Sequence, residues 1–395
     1  MDRSRALLAL LSLLLLSRGA AAELALPSGL QLHGFASQGA VHTSSNRFHG
    51  DSPETSLDFT EIGLNASWRL SPRLLLAGQV LSRRAGDMSD GWPKVDFALA
   101  DINLFMQDSH RAGMRLGRLK NRLGLYNETR DVPFTHPGIF LPQVVYFDKV
   151  RNLVLATDGI QLHGELYQPF GTLSATLATG RPVVDENVEA ALLRGQIPGA
   201  IEPRENSWLA SLWFHSPAER IKVGLSGAAI ALRQDWNLTR AHPRIDLTYW
   251  IASAQYNAER WSLSTEYMGL PFRGRDFQPV RPDLNQTSEG YYAQLTYRLR
   301  QPLELMLRYE EGFANRDDRD GRTLERQTQG LIPEHAGSSR ILSLGLRWDV
   351  SRHWMLRTEY QRHIGSFILS EIENPNLLEH DKHWDLFAVQ AAFRF

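Results

Sequence analysis

The sequence predicts an all-β chain that forms a transmembrane antiparallel β-barrel of about 16 strands, with short periplasmic turns and long extracellular loops. Three observations predict this fold. Segments of about ten residues alternate between apolar and polar positions, as in a wall with lipid on one side and water on the other. The connections between them alternate between short and long. The chain also ends on such a segment, Trp384 to Phe395, with apolar residues at every second position.

The first 22 residues have the features of a secretory signal peptide. Arg3 and Arg5 form a basic start, residues 6–16 are an apolar run, and Ala20 to Ala22 supply small residues for cleavage. The apolar run is too short to cross a bilayer as a helix. We therefore expect an exported mature chain, residues 23–395, that is integral to the cell outer membrane of a Gram-negative bacterium.

The composition narrows the choice of partners. A formal net charge of −1 gives no reason to expect nucleic acid as a partner. The chain contains no Cys, so we expect it to be stable without disulfides. No hydrolase or phosphate-binding motif is present. We therefore predict no enzymatic activity, no cofactor and no metal site.

The alternating segments predict sixteen strands, an even number, as in bacterial outer-membrane barrels. They are residues 30–42, 59–70, 74–84, 95–107, 112–120, 158–168, 172–181, 206–216, 221–234, 245–257, 261–271, 289–299, 303–312, 340–350, 354–362 and 384–395.

Turn residues punctuate every second connection. Ser71-Pro72-Arg73 and Arg300-Gln301-Pro302 are examples of these tight joints. The opposite connections are long, polar and rich in Gly, Pro, Asp and Asn. Short turns belong to the periplasmic end of an outer-membrane barrel and long loops to the outside, so both termini are expected on the periplasmic side.

Pairing across the tight turn at Gln301 predicts which side chains share a face. It places Arg298 opposite Glu304 and Gln294 opposite Arg308, with the apolar residues of both strands on the other face. The charged face is predicted to line the lumen. The pore-wall candidates are Arg69, Arg83, Arg115, Arg298, Arg308, Arg347, Arg357, Glu61, Glu165, Glu266, Glu304, Glu310 and Glu359.

Aromatic residues near the strand ends predict two interface girdles. Trp68, Tyr256, Trp261, Tyr297, Trp348, Trp354 and Phe395 lie beside the short turns, and Tyr267, Tyr291, Tyr309, Tyr360 and Phe387 lie nearer the loops.

Residues 121–157 are the candidate pore-constricting loop. A sixteen-stranded barrel is too wide for its own side chains to fill, so some other segment must narrow the lumen. This loop mixes apolar residues with charges, which suits a segment folded inward against the wall. The pore-constriction candidates are Arg122, Tyr126, Arg130, Asp131, Lys149 and Arg151.

The stretches Gly117 to Phe134 and Leu32 to Phe48, together with the terminal Phe395, resemble the Gram-negative outer-membrane porin superfamily, nearest to phosphate-selective-porin-like proteins. The resemblance implies sixteen strands, a passive channel, a possible homotrimer and a third loop folded into the pore. It also implies that the terminal aromatic residue is read by the outer-membrane assembly machinery. The chain departs from the phosphate-selective pattern because it has five Lys instead of dense lysine clusters.

The function predicted from the sequence is an outer-membrane porin, a passive diffusion channel for small hydrophilic solutes. Two alternatives remain open at this stage. One is a channel selective for anions or for one substrate, and the other is a barrel enzyme or a plugged structural barrel. Outer-membrane lipid and lipopolysaccharide are the other expected partners.

Overall fold

The computed structural model describes residues 27–193, 200–235, 243–277 and 283–395. The predicted signal peptide, residues 1–22, lies outside these ranges. In the described part of the chain, strands follow one another almost without interruption by helix. The strands are Leu30–Thr43 (β1), Ser56–Ser71 (β2), Leu74–Ala85 (β3), Asp90–Gln107 (β4), His110–Lys120 (β5), Ala156–Gln168 (β6), Gly171–Pro182 (β7), Ala200–Pro203 (β8), Ser207–His215 (β9), Ile221–Asp235 (β10), Arg244–Asn257 (β11), Trp261–Arg275 (β12), Leu284–Arg300 (β13), Leu303–Phe313 (β14), Ser338–Asp349 (β15), Trp354–Gly365 (β16) and His383–Arg394 (β17).

The strands close into one antiparallel barrel. Apart from β8, each strand pairs with the strands next to it in the chain, with β7 pairing directly with β9, and β1 pairs with both β2 and β17. The strands β8 and β9 pair with successive parts of β10, so together they occupy one position in the wall. The wall therefore has sixteen positions, which confirms the predicted fold class.

The predicted strand 206–216 agrees with β9, and the short strand β8 was not predicted; the wall at this position is interrupted between β8 and β9. The neighbouring strand β7 ends at Pro182, which has no N–H to continue the hydrogen-bond ladder. Pairing between β7 and β9 stops at Gly180 and Ser207. Arg204 lies in the gap. Its backbone N–H donates a hydrogen bond to the carbonyl of Ala231, and its guanidinium forms an ion pair with Asp246 at 2.9 Å.

Most predicted strand boundaries agree with the structure to within a few residues. The largest differences lie at the loop ends of strands, where β4 begins at Asp90 and β13 at Leu284, each five residues before the predicted start. The turns between β2 and β3 and between β13 and β14 are tight, as expected. In the described chain, short α-helices occur only in the long loops, at Arg151–Leu155, Glu186–Leu193 and Arg322–Gln327.

The predicted register of β13 and β14 is confirmed. Arg298 pairs with Glu304 and Gln294 with Arg308. Apolar side chains of the same strands point outward, and Leu307, for example, is 46% exposed. The predicted aromatic residues near both strand ends also lie on the outer surface, among them Trp348 and Tyr309. Across the residues that the structure describes, no helix is both long enough and apolar enough to span a bilayer.

The inner face is less uniformly polar than the β13–β16 pattern suggests. On β10 and β11 the inward positions carry large apolar side chains that are nearly or fully buried. They are Ile230, Leu232, Ile245, Leu247, Tyr249 and Ile251. An apolar inner wall of this size needs a covering inside the barrel, because it would otherwise face water.

Candidate functional site

Residues 121–155, which connect β5 to β6, lie inside the barrel and are named here the inserted segment. The segment contacts inward side chains on opposite sides of the wall. Arg122 bonds Ser174 on β7, Gly124 bonds Ser226 on β10, and Tyr126 bonds Gln294 on β13. Contacts to strands so far apart in the wall are possible only from within the lumen.

Buried carboxylates of the wall accept hydrogen bonds from the backbone of the inserted segment. Glu266 accepts from Leu125 N–H at 2.8 Å and from the Tyr146 hydroxyl at 2.5 Å. Glu359 accepts from the N–H groups of Ile139 and Phe140. Each carboxylate thus provides the partner that a buried N–H group needs.

Buried arginines of the wall bind the carbonyl groups of the same segment. Arg308 donates to Phe140 O at 3.0 Å and Arg357 donates to His136 O at 3.0 Å. Arg308 also pairs with Glu310 at 2.8 Å and Glu359 at 3.0 Å, and the side chains of this cluster are at most 1% exposed. Of the wall charges predicted on β14 and β16, Arg308, Glu310, Arg357 and Glu359 therefore hold the segment in place and are not available to passing solutes.

Apolar packing supplies the rest of the attachment. Val144, Val145 and Tyr146 are almost completely buried, in one apolar cluster with the inward residues of β10 and β11. Phe140 meets the ring of Phe48 edge to face, with ring centroids 5.3 Å apart. Burial of this kind contributes about 1.5 to 3 kcal/mol for each large apolar side chain.

A second ionic cluster holds the end of the inserted segment. Asp148 bonds Arg83 of β3 at 2.5 Å and Arg130 at 3.3 Å, and His49 lies 3.8 Å away. Burial alone would raise the pKa of Asp148, but the positive charges of Arg83 and Arg130 outweigh it and hold the pKa at about 2. Asp148 is therefore ionised at neutral pH and ties the segment to the wall.

A third cluster joins the segment to β4 and β5. Lys120 contacts Asp96 at 2.6 Å and also bonds Asp131, which in turn contacts Arg151. Because all four side chains are at most 10% exposed, this cluster closes the space between the segment and this part of the wall.

One part of the lumen remains hydrated, beside β5, β6 and β7. Glu128 of the inserted segment keeps 39% of its side chain exposed and lies 3.7 Å from Arg122, which is 23% exposed. Arg122 also lies over the ring of Trp213, 5.5 Å from its centroid. On β5, Arg115 bonds Asp101 at 3.0 Å and is 29% exposed. We name this space the hydrated cleft.

The position of Glu128 inside the barrel affects its ionisation. Desolvation raises the pKa of Glu128 above its ordinary value, and the positive charges of Arg122, Arg115 and Lys120 act in the opposite direction. In the cleft, one carboxylate of the inserted segment therefore lies near two arginines, Arg122 of the segment and Arg115 of the wall. Such an arrangement creates an electric field across the opening.

Cavities lie at both ends of this side of the lumen. Towards the short turns a cavity of about 510 Å³ is lined by Arg122, Glu165 and His215, among others. Towards the loops a cavity of about 430 Å³ is lined by Asp96, Arg151 and other residues. Asp96 and Arg151 of the Lys120 cluster are thus part of the lining of the second cavity.

The pore-constriction candidates divide into two groups. Tyr126, Arg130, Asp131 and Arg151 are buried, and Lys149 binds Glu371 at 3.1 Å with little exposure. Arg122 is the candidate that faces the hydrated cleft. Five of the six residues thus attach or pack the segment, because its buried backbone and charges need partners inside the barrel.

The pore-wall candidates divide in a similar way. Buried and mostly buried residues attach the segment or join its ionic clusters, three residues are partly exposed, and two residues lie exposed at the short-turn rim. In that order they are Glu61, Arg83, Glu266, Arg308, Glu310, Arg347, Arg357 and Glu359; then Arg115, Glu165 and Glu304; then Arg69 and Arg298.

The sequence interpretation did not single out Glu128, Asp148, Lys120 or Asp96. Lys120 immediately precedes the predicted loop, and Asp96 lies in a predicted strand where it could have been assigned to the inner face. Glu128 and Asp148 lie within the predicted loop; Asp148 pairs with Arg83, 65 residues earlier, whereas Glu128 lies near Arg122 of the same loop. Only the folded contacts distinguish them from other loop acids.

Sequence comparison finds no protein-family model and no curated protein that matches the chain. Structural comparison finds outer-membrane barrels over almost the whole chain. An anion-selective porin from Comamonas acidovorans matches with a TM-score of 0.56, 11% identity, and coverage of 93% of this chain and 99% of that one. The outer membrane channel DcaP of Acinetobacter baumannii matches with a TM-score of 0.57 at 11% identity, covering 93% and 97%.

OmpF of Salmonella typhi, in complex with daunomycin, matches with a TM-score of 0.57, 14% identity and the same coverage of 93% and 97%. The chain has the porin fold. The similarity includes a closed sixteen-position antiparallel wall. At these identities the comparison establishes the fold.

Proposed function

We propose that this protein is an outer-membrane channel for the passive diffusion of small hydrophilic solutes, and that the hydrated cleft is its constriction. The observation that carries the proposal is the exposed carboxylate of Glu128 opposite Arg122 inside the barrel. Charged side chains that remain hydrated there can contact a passing solute, whereas the buried clusters cannot. The solute path then runs along β5 to β7.

The proposed path is narrow. The inserted segment covers the inner wall of β10 to β16, and the two cavities on the side of the hydrated cleft have volumes of only about 430 and 510 Å³. Small polar molecules and ions therefore fit the channel better than large ones.

A selective channel for anions is the second candidate. The observation in its favour is the number of cations near the cleft, because Arg111, Arg115 and Arg122 all lie on this side of the lumen. Each of them has an acidic partner, Glu165, Asp101 or Glu128, so the net field is weaker than the number of arginines suggests. We expect a modest preference among ions.

Reversal of one charge tests the constriction. Glu128→Arg adds positive charge to the cleft and should shift the permeability ratio towards anions by about threefold or more, because field effects are strong at a narrow site. The measurement is the reversal potential across a planar bilayer under a salt gradient. The matched control is Glu54→Arg, which makes the same charge change on an exposed loop.

Two results would count against the proposal. One is a wild-type conductance that does not exceed the background of the empty bilayer. The other is an equal shift in selectivity for Glu128→Arg and Glu54→Arg, which would place the solute path away from the cleft.

We also propose a homotrimer and recognition of Phe395 by the outer-membrane assembly machinery. The trimer is supported by one structural neighbour, OmpT of Vibrio cholerae, which was solved in a trimer form. The ring of Phe395 is 61% exposed, and its backbone bonds Gly34 of β1. The mass of the detergent-solubilised assembly tests the trimer, and the assembly yield of Phe395→Ala tests the recognition.

A further inference from the structure

An apolar groove runs over the outer face of β13 to β16. Its volume is about 530 Å³, and it is lined by Leu295, Leu305, Leu307, Leu344, Leu346 and Thr358, among others. The leucines are between 37% and 52% exposed, so they face outward. Thr358 is much smaller than its neighbours, which leaves a depression in the surface. A hydrocarbon chain fits such a depression without loss of hydrogen bonds.

A row of tyrosines lies above the groove, towards the loops. The hydroxyls of Tyr291 and Tyr309 both donate to Glu311, and the hydroxyl of Tyr360 donates to Asp385 at 2.7 Å. Each ring is thus held with its apolar body on the wall and its polar end towards the loops. This is the preferred orientation of tyrosine at a membrane interface.

Arginines form the next row. Arg340 of β15 is 56% exposed and Arg362 of β16 is 48% exposed. Because Arg340 pairs with Ile364, and Leu342 pairs with Arg362, the two arginines are diagonal neighbours. Their Cβ atoms are therefore about 7 to 8 Å apart, and their long side chains can reach one common anion.

Both arginines keep capacity for a further ligand. Arg340 pairs with Glu311 at 3.2 Å and Arg362 pairs with Asp385 at 2.5 Å. A guanidinium has five N–H donors, and one carboxylate occupies at most two of them. Since about half of each side chain is exposed, donors remain for a phosphate group, which guanidinium groups bind in a bidentate manner.

We propose that the outer face of β13–β16 binds a phosphorylated, acylated glycolipid of the outer leaflet, with one acyl chain in the groove and a phosphate between Arg340 and Arg362. The rows follow the order of such a lipid, with chain, sugar and phosphate at increasing height. Arg340 is four residues from Leu344, or about 13 Å along the strand, which places the charged row above the apolar one.

The proposal does not depend on passage of solutes, because the site is on the outside of the barrel. It depends on the membrane position of the strands, with the long loops outside. A second copy of the chain is a less suitable occupant, since the three successive rows each match a different part of one lipid molecule. Charge complementarity at the arginines favours an anionic lipid over a neutral one.

Native mass spectrometry of the detergent-solubilised protein tests the site. The probe is a hexa-acylated disaccharide lipid with two phosphates, and it is compared with its phosphate-free form and with inorganic phosphate. The test variant is Arg340→Ala/Arg362→Ala. The matched control is Arg233→Ala/Arg244→Ala, which removes two outward arginines that are similarly exposed and paired but lie on β10 and β11.

We expect the test variant to bind the diphosphorylated lipid about tenfold more weakly, and the control to change by less than about twofold. The phosphate-free lipid should bind the wild type about as weakly as the diphosphorylated lipid binds the test variant. Equal losses in both variants, or equal binding of the two lipids, would overturn the proposal. Binding of inorganic phosphate as tight as that of the lipid would overturn the role of the groove.

A second variant tests the groove without altering charge. Thr358→Trp fills the depression with a large ring and should weaken binding of the acylated probe at least about threefold, since it removes the apolar contact. Unchanged binding would remove the groove from the site. Conductance of both variants should equal that of the wild type, so a failure of the lipid site is distinguishable from a failure of the channel.

Discussion

The two sides of the lumen use the same residue types in different environments. Beside β14 and β16, Arg308 and its partner Glu310 are 1% and 0% exposed and hold the inserted segment. Beside β5 and β6, Arg111 and its partner Glu165 are 44% and 25% exposed and face water. The first pair is part of a dry interior and the second borders an open space.

This difference teaches that a charged inner wall is not by itself a solute path. A buried ion pair loses its hydration and depends on its partners, so removal of one member leaves an unpaired charge. A hydrated pair is weak because water replaces either partner at small cost. Contact with solutes is therefore expected where the charged side chains remain exposed to water, and attachment of the inserted segment is expected where they are buried.

The largest expected effect comes from breaking the dry cluster. Arg308→Met removes the partner of both Glu310 and Glu359 and the donor to Phe140 O. Because two carboxylates remain buried without a cation, we expect a loss of about 3 to 5 kcal/mol in the free energy of unfolding. Denaturant unfolding of the protein in detergent measures it.

The control for this variant is Arg111→Met on the hydrated side, which should cost about 0 to 1 kcal/mol, because its pair with Glu165 is exposed. The same two variants should differ in conductance. Partial release of the inserted segment in Arg308→Met should raise the single-channel conductance, while Arg111→Met should leave it close to that of the wild type. Similar stability losses in both variants would remove the distinction between the two sides.

A smaller effect is expected from acid. The pKa of Asp148 in the folded protein is about 2, below its ordinary value of 3.8, because Arg83 and Arg130 stabilise the ionised form against the effect of burial. A depressed pKa contributes stability that is complete above about pH 4 and is lost as the pH falls from 3.8 towards 2. The contribution is about 2 kcal/mol.

Acid unfolding of wild type and Asp148→Asn checks this expectation. The wild type should lose stability between pH 4 and pH 2, whereas in Asp148→Asn the part of this loss that belongs to Asp148 should be absent. At pH 7 the variant should be less stable than the wild type. The reverse order at pH 7 would mean that Asp148 does not tie the inserted segment to the wall.

The sequence was sufficient to predict the strands of the wall and insufficient to predict the packing inside the barrel. The register of β13 and β14 follows from an alternation of period two and a tight turn, both of which are local. The inner face of β10 was less predictable, because Ile230 and Leu232 alternate with Ala229 and Ala231, so neither face is polar. What covers Ile230 is a segment about a hundred residues earlier, and its position depends on contacts that spacing does not encode.

The same limit applies to the constriction candidates. Arg122 and Arg130 are eight residues apart in one loop, and the sequence predicted the same role for both. In the structure Arg130 is 5% exposed and bonds Asp148, whereas Arg122 borders the cleft. A sequence shows that the loop carries charges and apolar residues together. It does not show which charges the apolar residues bury.

The smallest effect on stability, and the most specific effect on transport, is expected from this pair of arginines. Arg122→Ala removes a hydrated cation and should lower the anion-to-cation permeability ratio by about twofold with a stability change of at most about 1 kcal/mol. Arg130→Ala removes a buried partner of Asp148 and should instead cost about 2 kcal/mol or more, with little direct effect on selectivity. Reversal potentials and denaturant unfolding of both variants separate the two roles. If Arg130→Ala changed the selectivity more than Arg122→Ala did, the solute path would run on the other side of the inserted segment, and the assignment of dry and hydrated sides would have to be exchanged.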